Sequence, residues 1–237
     1  MMCPAEFSPE EPRLRWLRRA PAGISVKGAD APRPPRLGVL SGTFNPPTRA
    51  HLALAEAALA ALELEEVLFV LPEVLPHKKQ LEASLEAREE MLLLAIAGNP
   101  KFSAGVTSHG MFLDIHRAIT SHFPTDTRMY FLTGRDAAER ILLRWPYPNP
   151  QQAVAEMFAR FELAVAGRGG RFQLPPGSPA AQFAHRIHRL EMPGGTEDLS
   201  ATLARQRAAR GENIDSLVPK EVGEYIAARQ LYRQSKD

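Results

Sequence analysis

With 237 residues, 44% hydrophobic and 24% charged, the chain has the makeup of an ordinary soluble globular protein, long enough for one domain with a sizeable core and at most a modest appendage. Its net charge of +2 is too small to argue for a nucleic-acid partner, and no apolar run approaches the roughly 18 residues that cross a bilayer. One cysteine, Cys3, leaves no internal disulfide and no cysteine cluster for zinc, which suits a reducing, cytoplasmic setting.

The first 36 residues hold 7 of the 21 prolines, and Pro32-Arg33-Pro34-Pro35-Arg36 cannot sit inside a helix or a central strand. Residues 1–36 are therefore expected to be a flexible extension to a domain at 37–237, with 12–19 either a short basic helix or a solvated tail. Glu6, Glu10 and Glu11 argue against a transit peptide. From residue 37 short apolar runs alternate with longer amphipathic stretches, the pattern of parallel strands joined by crossover helices. A strand at 37–40 ends in a turn, and a helix at 52–64 keeps Leu52, Ala55, Leu59 and Leu62 on one face. The apolar run 67–71 reads as a strand covered on both faces. Helix returns at 84–96. Strands follow at 101–106, 128–133, 161–166 and 186–192, separated by helical stretches at 112–121, 135–144 and 151–159. Two further helices are expected at 200–209 and 219–229, with Gly211 as a stop between them. The fold expected is α/β, a doubly wound, mostly parallel sheet that binds ligands beyond the carboxyl ends of its strands.

The loop after the first strand reads Gly42-Thr43-Phe44-Asn45-Pro46-Pro47-Thr48-Arg49-Ala50-His51. Glycine permits close backbone approach, the prolines stiffen the turn, and Thr48 and His51 stand where free N–H groups and the helix dipole favour an anion. Near the other end of the chain, Ser200-Ala201-Thr202-Leu203-Ala204-Arg205 opens a helix with hydroxyls and places a guanidinium about a turn and a half on, a second anion site. Taken singly, these residues have plainer readings: Thr48 and Ser200 as helix caps, His51 as a half-buried first-turn residue, Arg205 as a surface charge.

Together the two strings resemble the GxFxPx(H/T)xxH and SxTxxR motifs of the nucleotidyltransferase superfamily, and threonine at 48 is similar to the variant in nicotinamide and nicotinate mononucleotide adenylyltransferases. The segment 211–219, followed by Val222, Tyr225, Ile226, Leu231 and Tyr232, is similar to the C-terminal segment of the nicotinate enzymes, so the resemblance runs from about 37 to 232. It implies a Rossmann-like α/β/α sandwich that transfers AMP from ATP to nicotinate or nicotinamide mononucleotide, releasing pyrophosphate, in NAD biosynthesis. It also implies that His51, Thr48 and Arg205 are catalytic, and that Gly42, Thr43, Phe44, Ser200 and Thr202 join them around ATP. Asn45 would lie on the acceptor side.

Three further loops fit. Pro76-His77-Lys78-Lys79 follows the second strand; it is either a solvated basic loop or a phosphate clamp, and the same PHK string occurs in the nicotinate enzymes, which implies His77 and Lys78 as acceptor contacts. Gly134-Arg135-Asp136 follows a strand, where Asp136 either caps a helix or binds ribose hydroxyls, and Trp145 nine residues later is either half-buried packing or a stacking partner for a flat ring. The resemblance implies Gly134 and Asp136 at the nucleotide, Trp145 on the pyridine, and Arg168, in Gly167-Arg168-Gly169-Gly170, beside adenine. One segment departs: the family usually carries Tyr-Thr and Asp-Thr pairs where this chain has Gly110-Met111-Phe112-Leu113-Asp114-Ile115, so apolar groups replace hydroxyls where the pyridine substituent is read. His185 and His188 are not read as a metal pair, since three-residue spacing on a strand points them apart; no protein metal site is expected, and Mg2+ would arrive on ATP. The partners expected are small molecules, with neither nucleic acid nor membrane. Alternatives are another acceptor, phosphopantetheine or a polyol phosphate, or a nucleotide-binding protein without catalysis.

Overall fold

The computed structural model describes residues 11–24, 33–74, 81–144, 149–167, 172–196 and 199–233. Seven strands build one sheet: β1 (Leu14–Arg18), β2 (Arg36–Ser41), β3 (Glu66–Pro72), β4 (Phe102–Thr107), β5 (Arg128–Gly134), β6 (Glu162–Ala166) and β7 (Ile187–Leu190). They lie in the order β1-β4-β3-β2-β5-β6-β7, and every pair is parallel except β1 with β4. The chain thus winds outward from β2 in one direction through β3 and β4, then returns to start β5 on the other side of β2. That reversal, between β2 and β5, is where a doubly wound sheet opens a crevice for ligands.

The doubly wound sheet expected from the sequence is present. Alternation of side chains along each strand divides the core into two layers. Leu40, Val67, Phe69 and Leu71 face one side, under α1 (Arg49–Ala61), α2 (Leu85–Ile96), α6 (Ala201–Ala209) and α7 (Lys220–Ala228). Leu37, Val39, Leu68 and Val70 face the other, under α3 (Phe112–Thr120), α4 (Arg135–Glu139) and α5 (Pro150–Arg160). The helix expected at 135–144 widens after α4 into a π-helical turn, Arg140–Arg144. The strand expected from 186 begins at Ile187, after a 3-10 turn at Ala181–Arg186.

Within the expected flexible extension, the stretch at 14–18 needs correction. Leu14–Arg18, within the stretch read as a basic helix or tail, is an edge strand antiparallel to β4, with Leu14 opposite Thr107 and Trp16 opposite Gly105. Gly105 leaves room for Leu14, whose Cδ1 a Cβ there would meet at 2.6 Å. Trp16 packs edge-on against His122 and Phe123, while Arg15 pairs with Glu89 at 2.5 Å and Arg18 donates to the Ile96 carbonyl at 2.9 Å. The arginines therefore pair with α2 and its end rather than with solvent alone.

Candidate active site

Among the described residues, the segments that follow β2, β4, β5 and β7 carry residues singled out by sequence. The first, 42–48, leaves β2 and is bolted down at both ends. Gly42 N–H donates to Val70 O at 3.1 Å, and Arg49 N–H donates to Leu217 O at 2.9 Å. Arg49 Nε also reaches the carbonyls of Asp215 and Val218 at 3.0 and 3.1 Å, so the segment after α6 pins the start of α1. Phe44 sits at φ 43, a left-handed conformation costly for a bulky residue. What holds it there is burial: its ring is 1% exposed, against Phe69 and edge-on to His51 at 5.2 Å. Gly42 serves that ring as much as any ligand, because a Cβ at 42 would meet two of its atoms at 3.3 Å.

His51 is locked into one tautomer. Its Nδ1 accepts from the Thr48 backbone N–H at 2.9 Å, and an amide nitrogen can only donate, so in the neutral ring the proton resides on Nε2. The Thr48 hydroxyl stands 2.9 Å from the same Nδ1 and Thr48 is 1% exposed, so this hydroxyl is turned to the imidazole. Thr48 caps α1 and sets the ring; Nε2–H is the donor that the ring presents elsewhere.

The second motif joins the first. Ser200 caps α6 by accepting from Leu203 N–H at 3.1 Å, and Thr202 is exposed in the first turn. Arg205 Nη1 donates to the Asn45 carbonyl at 2.8 Å, which brings the two motifs into contact across 160 residues of sequence. Arg205 Nε donates to Glu82 Oε1 at 2.9 Å. Asn45 Nδ2 in turn donates to Glu82 Oε2 at 2.7 Å, and its Oδ1 accepts from Tyr232 O–H at 2.8 Å. Asn45 is 1% exposed and bonded at both ends of its amide, an internal tie between Glu82 and Tyr232. Burial by itself would push Glu82 up, but its own backbone amide, Arg205 and Asn45 hold it below the ordinary carboxylate range. Burial pushes the Tyr232 phenol up, keeping it a donor.

Beneath the same loop, Arg88 on α2 is 5% exposed and donates from Nη1 to the Thr43 carbonyl at 3.2 Å. Its Nε has no hydrogen-bond partner among the described residues, and burial pushes its pKa down. Glu82, Arg88 and the role of Tyr232 were not foreseen from sequence; no short string announces them, and only tertiary contact shows what they touch.

Gly134 closes β5 two residues beyond the pairing of Leu40 with Leu132, level with Gly42, and a Cβ there would meet nothing within 4 Å. The Asp136 side chain is 87% exposed, with Oδ1 3.6 Å from Arg135 Nε. A groove of about 270 Å3 opens between α3 and α5, lined by Met111, Phe112 and Leu113 from the atypical segment and by Asn149, Gln152 and Ala153. His77, Lys78, Trp145 and Arg168 lie outside the described residues.

Comparison with known proteins agrees with this geometry. Residues 39–207 match the family model described as cytidylyltransferase-like, a span that takes in both motifs. Fold and site thus define a nucleotidyltransferase. The chain is 37% identical to a Bordetella pertussis protein named "probable nicotinate-nucleotide adenylyltransferase", over 84% of this chain and 98% of that one. A protein of the same name from Moorella thermoacetica is 34% identical over 86% of this chain and 95% of its own. Among solved structures, nicotinic acid mononucleotide adenylyltransferase of Plasmodium falciparum complexed with NaAD superimposes with a TM-score of 0.65 at 16% identity, covering 84% of this chain and 97% of that one, a likeness of fold. The chain belongs to the nicotinate-nucleotide adenylyltransferase family.

Proposed function

We propose that this protein transfers AMP from ATP to nicotinate mononucleotide in NAD biosynthesis. A phosphate oxygen of the acceptor attacks the α-phosphorus in line, the bond to the β-phosphate breaks, and pyrophosphate leaves with its electron pair; no covalent enzyme intermediate forms. Reactions of this type depend on positioning and on stabilising charge that develops at phosphorus. The observation that carries the reading is the junction of the two motifs: an imidazole with Nε2–H set by the cap at Thr48, and Arg205 bonded to the carbonyl of Asn45 in the same loop.

In this reading His51 Nε2–H and Arg205 donate to the ATP phosphates, with Ser200 and Thr202 at the head of α6. Thr48 acts through His51. Gly42, Thr43 and Phe44 shape the loop, Gly134 and Asp136 take the nucleotide's ribose, and Arg168 borders adenine. The acceptor lies at the mouth of the groove between α3 and α5, beside Met111, Phe112 and Leu113 of the 110–115 segment. Trp145 stacks on the pyridine, and His77 and Lys78 hold the acceptor phosphate. Magnesium enters on the triphosphate, where it would neutralise phosphate charge. The described residues contain no helix long and apolar enough to span a membrane, in keeping with a proposed cytoplasmic enzyme. Incubation with ATP, Mg2+ and either nicotinate or nicotinamide mononucleotide, with pyrophosphate detected, tests the reading; no release with either overturns it.

A further inference from the structure

Glu82 has no place in either motif, yet it bonds to a residue of each. One carboxylate oxygen accepts from Asn45 Nδ2 at 2.7 Å and the other from Arg205 Nε at 2.9 Å, while Arg205 Nη1 closes the ring on the Asn45 carbonyl at 2.8 Å. Stability does not explain it. The Glu82 side chain is 54% exposed, and ion pairs as wet as this contribute little to stability. What the contact does is orient. Arginine has five N–H donors on a planar fork, and two of these are spent on the ring, which fixes the plane and leaves the rest for an anion. Without its carboxylate partner the long side chain would keep only its bond to the Asn45 carbonyl and sample more rotamers, to be ordered again on each binding event.

The ring has a further property. Asn45 is 1% exposed and is held from behind by Tyr232, so Glu82 is braced against a fixed point rather than against another mobile side chain. The second-motif arginine is thereby registered to the loop that carries His51.

We propose that Glu82 is a positioning residue that presents Arg205 to the triphosphate. This rests on the assignment of Arg205 to the ATP phosphates. It acts through Arg205 and touches no reacting atom. The rival role for a carboxylate beside a phosphate-binding arginine is competition, in which Glu82 must be displaced before ATP binds; removing it would then speed the reaction. Orientation predicts the reverse, because a misaligned donor loses the charge stabilisation that depends on geometry.

A double-mutant cycle tests the proposal by initial rates of pyrophosphate release, with melting curves alongside. E82A is expected to lower kcat roughly ten- to a hundredfold, with the KM for the mononucleotide acceptor unchanged and the melting temperature within about 2 °C of the parent, as a wet ion pair allows. E82Q, which keeps a carbonyl oxygen for Arg205 Nε, is expected to recover most of that loss and serves as the test if E82A does not fold. R205K has no fork to orient, so E82A should cost nothing more in that background. Equal losses from E82A in both backgrounds, full activity of E82A beside a crippled R205K, or faster turnover in E82A would each overturn the proposal. Full activity of R205K would overturn the assignment of Arg205 itself, and the proposal with it.

Discussion

Replacing His51 by asparagine separates the anchoring job that the imidazole performs from the donor job proposed for it. Nδ1 accepts from the Thr48 N–H at 2.9 Å, a capping contact of a kind worth about 1 kcal/mol. An asparagine carbonyl on the same helix position can take that bond. It cannot put a donor where Nε2–H stands, and loss of one donor aimed at developing charge costs about 2.7–4 kcal/mol, or 10²–10³ in kcat. His51→Asn should therefore melt within about 2 °C of the parent, given that 1 kcal/mol moves a chain of this size by roughly 2–4 °C, while turning over 10²–10³ times more slowly. His51→Ala should show the same kinetic loss and, with the cap gone, melt roughly 2–4 °C lower. The assay is pyrophosphate release at saturating ATP and acceptor, beside a thermal melt of each variant. Turnover by His51→Asn within tenfold of the parent would refute the division between Nδ1 as anchor and Nε2 as donor.

Three further outcomes are expected. Burial, with Arg160 and Arg117 nearby and against the pull of Glu156, pushes His116 down to about 4 from an ordinary 6.5. A base lowered in the folded state stabilises fully above its unfolded pKa, so about 3 kcal/mol should be lost as pH falls from about 6.5 to about 4; denaturant midpoints across this range should fall less steeply in His116→Gln, and identical slopes would contradict it. Tyr232→Phe strands the Oδ1 of a buried Asn45 and should cost about 1 kcal/mol, seen as a melting temperature roughly 2–4 °C lower. Trp16→Ala should cost about 2 kcal/mol, less than a fully buried tryptophan would, through lost packing on His122 and Phe123; an unchanged melt would mean that β1 adds nothing to the sheet.

The apolar runs that became β2 to β6 were legible because parallel strands buried on both faces have little polar patterning to obscure them. The N-terminal strand was not. Leu14-Arg15-Trp16-Leu17-Arg18 begins two residues after a proline and is rich in arginine, and what makes it a strand is β4, about 90 residues away, with a glycine at 105 that admits Leu14. The site divides in the same way. Thr48, His51, Ser200 and Arg205 sit in short strings whose spacing carries their meaning, so they could be named in advance. That Asn45 is a tie, with Glu82 on one end of its amide and Tyr232 on the other, depends on contacts separated by 37 to 187 residues, and that the Thr48 hydroxyl faces His51 depends on side-chain conformations that spacing does not fix. Buried Arg88 under Thr43 is a further such contact, invisible until α2 is laid against the loop.

The most direct measurement supplies the purified protein with ATP, Mg2+ and, in separate reactions, nicotinate mononucleotide, nicotinamide mononucleotide, phosphopantetheine and, with CTP, a polyol phosphate, and follows pyrophosphate and the joined product together. Pyrophosphate released one for one with a dinucleotide, from nicotinate mononucleotide in preference to the other acceptors, is the predicted result. ATP binding without pyrophosphate from any acceptor, or release with phosphopantetheine or a polyol phosphate alone, would contradict it.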